Sequence, residues 1–265
     1  MQRDVNSTLI LDITEPSDMV ASIAIAAMPG LTITETVAAT LDGKPVEMRE
    51  LLDQHGTRLH YLSTGVGTLT IAYSAHVEGR AEPVAVSELD ALRYMRPSRY
   101  SESDALAPSA AGEFPGLTGR AALDAVVKWV SGRLQYVSGS SLPTDGAIAT
   151  MLARQGVCRD YAHLTVGLLR ALNVPARLVS VYAPGLSPMD FHAVAEALVD
   201  GEWLIVDSTH LAPRESMLRV ATGRDAADTA FLTTEMGNPT LLEMNVTAVV
   251  DSLPNDDWSA DVALG

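Results

Sequence analysis

The chain has 265 residues, 47% of them hydrophobic and 19% charged, enough for one or two domains with a sizeable core. A formal net charge of −15 leaves no basic surface to displace counterions from phosphates, so neither nucleic acid nor an anionic membrane is an expected partner. The single cysteine excludes an intramolecular disulfide and any multi-cysteine zinc site.

The first residues, MQRDVNSTLILDITEPSDMVASIAIAAM, lack a basic region followed by an apolar core, so no signal peptide is expected. Their apolar stretch is too short to span a membrane, and a cytoplasmic location is expected. STLILDIT, LTITETVAATLDG, TRLHYLSTG and GTLTIAYSAHVEG then alternate apolar and polar residues, with Gly, Pro or Asp-Gly between them. Residues 1–95 are therefore expected to form an antiparallel β-sandwich domain. The Pro/Ser/Gly-rich segment RPSRYSESDALAPSAAGEFPG (96–116) reads as a linker or ordered loop.

Helical periodicity follows. Leu123, Val126, Val127, Val130 and Leu134 share one face of a helix, and TDGAIATMLARQG is a shorter one capped by Thr144 or Asp145. A third helix opens at Cys158 and stops near Leu172, before Asn173 and Pro175. The strand ARLVSVYAPG and the hairpin DFHAVAEALVDGEWLIVDSTH come next, and the tail from Arg214 mixes helix, loop and one or two strands. The second half is thus expected to be α+β, with 117–265 as one domain.

A lone thiol is often core filler. Here it sits in the first turn of a helix, where free backbone N–H groups and the dipole favour a thiolate. Gly156 is expected to clear room for a substrate backbone. Asp160 opposes the thiolate, so a cation is needed beside it. The hairpin provides one. A two-residue Asp200-Gly201 turn pairs residues whose numbers sum to about 401, which sets Val194 opposite Asp207 and puts His192 on the face of Asp207, one diagonal step away. A helix opening with Cys158 and packed on that face completes a Cys158–His192–Asp207 triad: the thiol attacks, the imidazole takes its proton and the carboxylate orients the imidazole. His163 lies about 140° around the helix from Cys158 and is expected to be structural or supporting. His210 points to the opposite face from His192, and His55, His60 and His76 are expected to be surface or strand residues of the sandwich.

GVCRDYAHL, GLLRALNVPARLVSVY, DFHAVAEALVDGEWLIVDSTH and ATGRDAADTAFLTT together resemble the bacterial transglutaminase-like cysteine hydrolases of the papain-like superfamily, in which Cys, His and Asp occur in that order. The resemblance covers about residues 90 to 250 well and the β-domain loosely. It implies a papain-like fold of helices on an antiparallel sheet and an acyl transfer through a thioester. A thiol-dependent peptidase or amidase is expected, acting on a peptide or protein amide without cofactor or metal. The alternatives are a protein-glutamine acyltransferase, if an amine replaces water, or an inactive binding module. The oxyanion is expected to be held by the Cys158 N–H and one side-chain donor among Tyr136, Ser141 and Thr144. Arg224 and Asp225 either border the cleft or form an internal salt bridge. Val194 and Ser208 depart from the Trp and Pro that relatives often carry.

Overall fold

The computed structural model describes residues 1–264. Seven strands come first: β1 (Gln2–Ile13), β2 (Ser17–Ala21), β3 (Leu31–Leu41), β4 (Lys44–Val46), β5 (Arg49–Leu52), β6 (Arg58–Thr64) and β7 (Gly67–Gly79). The alternation read from the sequence is the alternation of burial: in β1, Val5, Leu9, Leu11 and Ile13 are fully buried while their neighbours face outward. β1 pairs with β7 over its whole length, and β2 pairs with β6.

The helical part contains α1 (Glu88–Arg93), α2 (Ser103–Glu113), α3 (Gly119–Arg133), the two-residue strand β8 (Gln135–Tyr136), α4 (Ala147–Ala153) and β9 (Gln155–Gly156), which pairs with β8. Then come α5 (Cys158–Ala171), β10 (Ala176–Tyr182), β11 (Phe191–Val199), β12 (Glu202–Val206), β13 (Leu218–Gly223), the single-turn α6 (Ala226–Thr229), β14 (Leu232–Met236) and β15 (Thr240–Val250). Among the described residues no helix is long and apolar enough to cross a membrane.

Strands β12-β11-β10-β13 form one antiparallel sheet in that order. Two further sheets, β15-β1-β7-β3-β4 and β14-β2-β6-β5, share an apolar core that includes Val5, Leu9, Met19, Leu62 and Ile71. The protein is therefore α+β, with helices against one antiparallel sheet and a sandwich beside it.

Two boundaries differ from the sequence reading. The segment 96–116 is not simply a loop, since α2 occupies most of it and buries Leu106 and Ala110 against α5. Pro108 lies within this helix, and the small-residue run ALAPSAAG carries no strong amphipathic stripe to announce it. The tail assigned to 117–265 does not stay with the helical part. β14 pairs with β2 and β15 with β1, so residues 232–250 complete both sandwich sheets. Only the second half of β15 shows alternating burial, and the partner of a strand is not written in its own residues.

The sandwich also grips the sheet of β10–β13. Tyr182, Leu218, Val220 and Ala221 belong to the sandwich core. The Tyr182 hydroxyl donates to the Ile23 carbonyl and meets the Ser7 hydroxyl, each at 2.8 Å. Beside them lies a buried charge cluster. Glu196 accepts from Arg177 Nε at 2.7 Å and from Arg219 Nη2 at 2.5 Å, and all three side chains are at most 3% exposed. Arg177 lies 3.9 Å above the Trp203 ring and 3.4 Å from His55 Nδ1 of the sandwich. His55 and His60 are buried, unlike the exposed His76, because each packs where sandwich loops or strands are covered.

Candidate active site

Helix α5 is the most buried helix, with every residue from Asp160 to Arg170 inside. Cys158 is its first residue and Val157 its extended N-cap. Asp160, three residues after the cap, turns back, and its Oδ2 accepts from the Val157 N–H at 2.8 Å and from the Ser141 hydroxyl at 2.5 Å. Arg159 Nη2 donates to Asp160 Oδ1 at 3.1 Å and to Ser141 Oγ at 2.9 Å. The carboxylate expected to oppose the thiol is thus fully committed to fixing the helix start.

The role expected of Gly156 changes as well. A Cβ there would lie 2.5 Å from the Asp160 Cβ, so the glycine admits the capping carboxylate rather than a substrate backbone. Gly156→Ala is expected to lower stability by about 1–3 kcal/mol, as overpacking does, measured by urea unfolding. An unchanged midpoint would refute this role.

The hairpin has the expected register. Ala195 pairs with Val206 and Val199 with Glu202, around Asp200 and Gly201, which both have positive φ. His192 Nε2 lies 2.9 Å from Asp207 Oδ2, and both side chains are 1% exposed. The other carboxylate oxygen, Oδ1, accepts from the Thr209 N–H at 2.9 Å and the Thr209 hydroxyl at 2.6 Å. With Nε2 committed to Asp207, the buried Nδ1 edge of the ring has no hydrogen-bond partner among the described residues and is the one left for the neighbouring Cys158 thiol.

The packing that achieves this differs from the simplest expectation. The body of α5 lies against the alternate residues Ala195, Ala197, Leu204 and Val206, while Val194 belongs to a separate apolar cluster. Thiol and imidazole meet at the strand end, where the ladder to β12 has stopped. Ser208 meets the Thr165 hydroxyl of α5 at 2.9 Å, which ties the residue after Asp207 to the helix.

Burial works against a charge on His192. The adjacent Asp207 carboxylate outweighs it, and the imidazole pKa is pushed up to about 10, with a smaller contribution from the thiol. Burial likewise opposes the charge of Asp207, but His192 and Thr209 hold its pKa below the ordinary carboxylate value.

The three oxyanion candidates separate clearly. Ser141 is bound to Asp160 and Arg159, and Thr144 is exposed at the end of a turn. Tyr136 is brought to the site by the β8–β9 bridge, which pairs it with Gly156. Its hydroxyl lies near the backbone and thiol of Cys158, which act on its ionisation. Burial, then the charge of the neighbouring sulfur, pushes the phenol up to about 12, so it remains an O–H donor.

Other candidates serve the frame. His163 is fully buried, stacks on Tyr100 and accepts the Ala226 N–H at 3.1 Å, and burial pushes its pKa down to about 4. Asp225 caps α6 and accepts the Tyr100 N–H at 2.7 Å, while Arg224 pairs with Asp228. His210 packs at a tilt against Trp258, outside the cleft that Cys158 lines. Among the described residues no three His, Cys, Asp or Glu side chains are grouped as metal ligands.

Cys158 and His192 open onto a cleft of about 650 Å³, a size suited to a short stretch of substrate. Its lining includes Arg99 before α2, Arg159 of α5 and Asp190 just before β11. The sequence reading missed the other wall, which comes from 220–244 and is built by the returning strands.

Residues 109–208 match the model of the transglutaminase-like superfamily. The chain is 30% identical over 125 residues to the uncharacterized protein ML0607 of Mycobacterium leprae, a match spanning 43% of each chain. It is 35% identical over 108 residues to the uncharacterized protein Rv2569c of Mycobacterium tuberculosis, spanning 34% of that protein. The matches thus span less than half the length of these curated relatives. A crystal structure of a candidate cysteine protease from Cytophaga hutchinsonii superposes with a TM-score of 0.89 at 31% identity, covering all of this chain and 96% of the other. That end-to-end likeness, together with the family segment that carries Cys158 and Asp207, makes this chain a member of the transglutaminase-like cysteine protease family.

Proposed function

We propose that the protein is a thiol-dependent amide hydrolase acting through Cys158, His192 and Asp207. The observation that carries the reading is the buried imidazole 2.9 Å from the Asp207 carboxylate and beside the Cys158 thiol, with Cys158 and His192 lining one cleft. Cys158 Sγ attacks the amide carbonyl carbon with its proton already on His192, and the carbonyl π electrons move onto oxygen. When the carbonyl re-forms, the C–N bond breaks and His192 gives the proton to the leaving amine. The thioester is then hydrolysed: His192 takes a proton from water, hydroxide adds to the carbonyl, and the C–S bond breaks with the electron pair on sulfur and the proton kept on His192. Asp207 keeps the ring oriented and balances its charge.

The tetrahedral oxyanion is held by the Cys158 backbone N–H and the Tyr136 hydroxyl. Tyr136→Phe is expected to lower kcat by about 10²–10³ with little change in KM, the scale of losing one oxyanion donor. A variant that raises KM and spares kcat would assign Tyr136 to binding instead.

Purified protein is to be incubated with peptide amides and assayed for free amine and free acid, with Cys158→Ala as control. Acid release lost in Cys158→Ala supports hydrolysis. Product appearing only when a primary amine is added would make the protein an acyltransferase, and no turnover with an unlabelled thiol would leave a binding module.

A further inference from the structure

The cleft beside Cys158 has two unlike walls. Its charged side chains, Arg99, Arg159, Asp190 and His192, come from the segment before α2, from α5 and from the start of β11 and the residue before it. The lining contributed by 220–244 is apolar apart from Thr229 and Thr233, its large members being Val220, Phe231, Leu232, Leu241 and Met244. All but Val220 belong to the segment that returns to complete the sandwich.

This wall is held in place. Phe231 stacks on Phe191, the residue before His192, with centroids 5.2 Å apart and planes 15° from parallel. The Phe231 carbonyl accepts the Ser22 N–H of the sandwich at 2.9 Å. It is also wet: Leu241 is 40% exposed, and Phe231, Leu232 and Met244 are half-buried. Apolar surface kept in water inside a concave site, next to a nucleophile, gains free energy only when a ligand covers it.

We propose that this wall seats a large apolar side chain on the acyl part of the amide substrate, which makes the sandwich the specificity element of the enzyme. The inference rests on the thiol-amidase reading and adds its substrate class, peptide amides with a bulky aliphatic or aromatic residue near the scissile bond. The charged wall then lies along the polar backbone of the bound peptide, and Phe191 links the apolar seat to the strand of His192.

Peptidyl acyloxymethyl ketones test this, since Cys158 Sγ displaces their carboxylate and forms a thioether. The probes differ in one side chain, leucine, glycine, aspartate or lysine, at either of the two positions before the ketone. Iodoacetamide serves as the small control reagent. At one position the leucine probe should label Cys158 about tenfold to a hundredfold faster than glycine, the scale of burying one large aliphatic side chain. Aspartate should be slower than glycine there. In Leu241→Asp, a change at an exposed site, and in Phe231→Ala the leucine-to-glycine ratio should fall toward one, and Phe231→Leu should restore most of it. Equal rates for all peptidyl probes, or none reacting while iodoacetamide still labels Cys158, would overturn the specificity and leave the thiol reading standing. No labelling of native protein by any reagent would overturn both.

Discussion

His192→Ala is expected to fold and to lose at least about four orders of magnitude in amidase rate, because members of a catalytic unit are not additive and loss of the base disables the nucleophile. Asp207→Asn should lose less, since it acts through the ring. The pH dependence of thiol labelling gives a second readout that a structural role would not move. With its pKa pushed up to about 10, His192 carries a positive charge next to the sulfur across the neutral range. Iodoacetamide should therefore label native Cys158 near pH 6, and His192→Ala should abolish that low-pH reaction. Labelling of wild type that begins only above about pH 8, where an ordinary thiol ionises, would remove the activated-thiol reading. The same pair has a stability signature. The folded pKa of His192 is raised, so its stabilising effect is complete below about 6.5 and is lost as pH rises through about 10. The folded pKa of Asp207 is lowered, so its share is present above about 4 and is lost as pH falls.

Glu196→Ala should lower the unfolding free energy by about 3–5 kcal/mol, because it strands two buried guanidinium groups without their shared carboxylate. Burial opposes the charge of Glu196, but Arg177 and Arg219 outweigh it and hold its pKa down to about 2. Its stabilisation is thus complete above about 4.5 and is lost as pH falls through 2. Burial, then Arg177, pushes His55 down to about 4, so the folded protein resists a proton that the unfolded chain accepts near 6.5. Both groups make the protein less stable in acid. Urea titrations of wild type and Glu196→Ala at pH 7 test the magnitude. A loss below about 1 kcal/mol would show the cluster to be solvated or dispensable. Replacing all three charged residues with apolar ones of similar size should cost far less than the single change.

The local signals in the sequence were sufficient where one short stretch decides the geometry. Asp200-Gly201 sets the hairpin register, and that register alone brings His192 to Asp207. Gly156, Val157 and Cys158 mark the helix start. The signals ran out where geometry depends on distant segments. Tyr136 is brought beside Cys158 by a two-residue bridge to Gly156, too short to leave a periodic trace. Asp160 looked adverse to the thiol because its partners, Ser141 and the Val157 N–H, are supplied by a loop and a backbone turn. The apolar wall escaped notice because Phe231, Leu241 and Met244 acquire a common face only after β14 and β15 pair with β2 and β1.

That last pairing has a consequence for biosynthesis. β1 is flanked by β7 on one side and β15 on the other, so this early strand waits for a partner made much later. Chain separations of more than 200 residues make this closure a late, slow event, because the entropy of so long a loop is lost before any contact repays it. During synthesis β1 keeps an open edge until β15 emerges, by which time the helix bearing Cys158 is already complete. The wall across the cleft from the thiol arrives with β14 and β15. Vectorial synthesis thereby orders the steps: the helix with the thiol is laid down first, and the wall opposite it is assembled only after those two strands have been made.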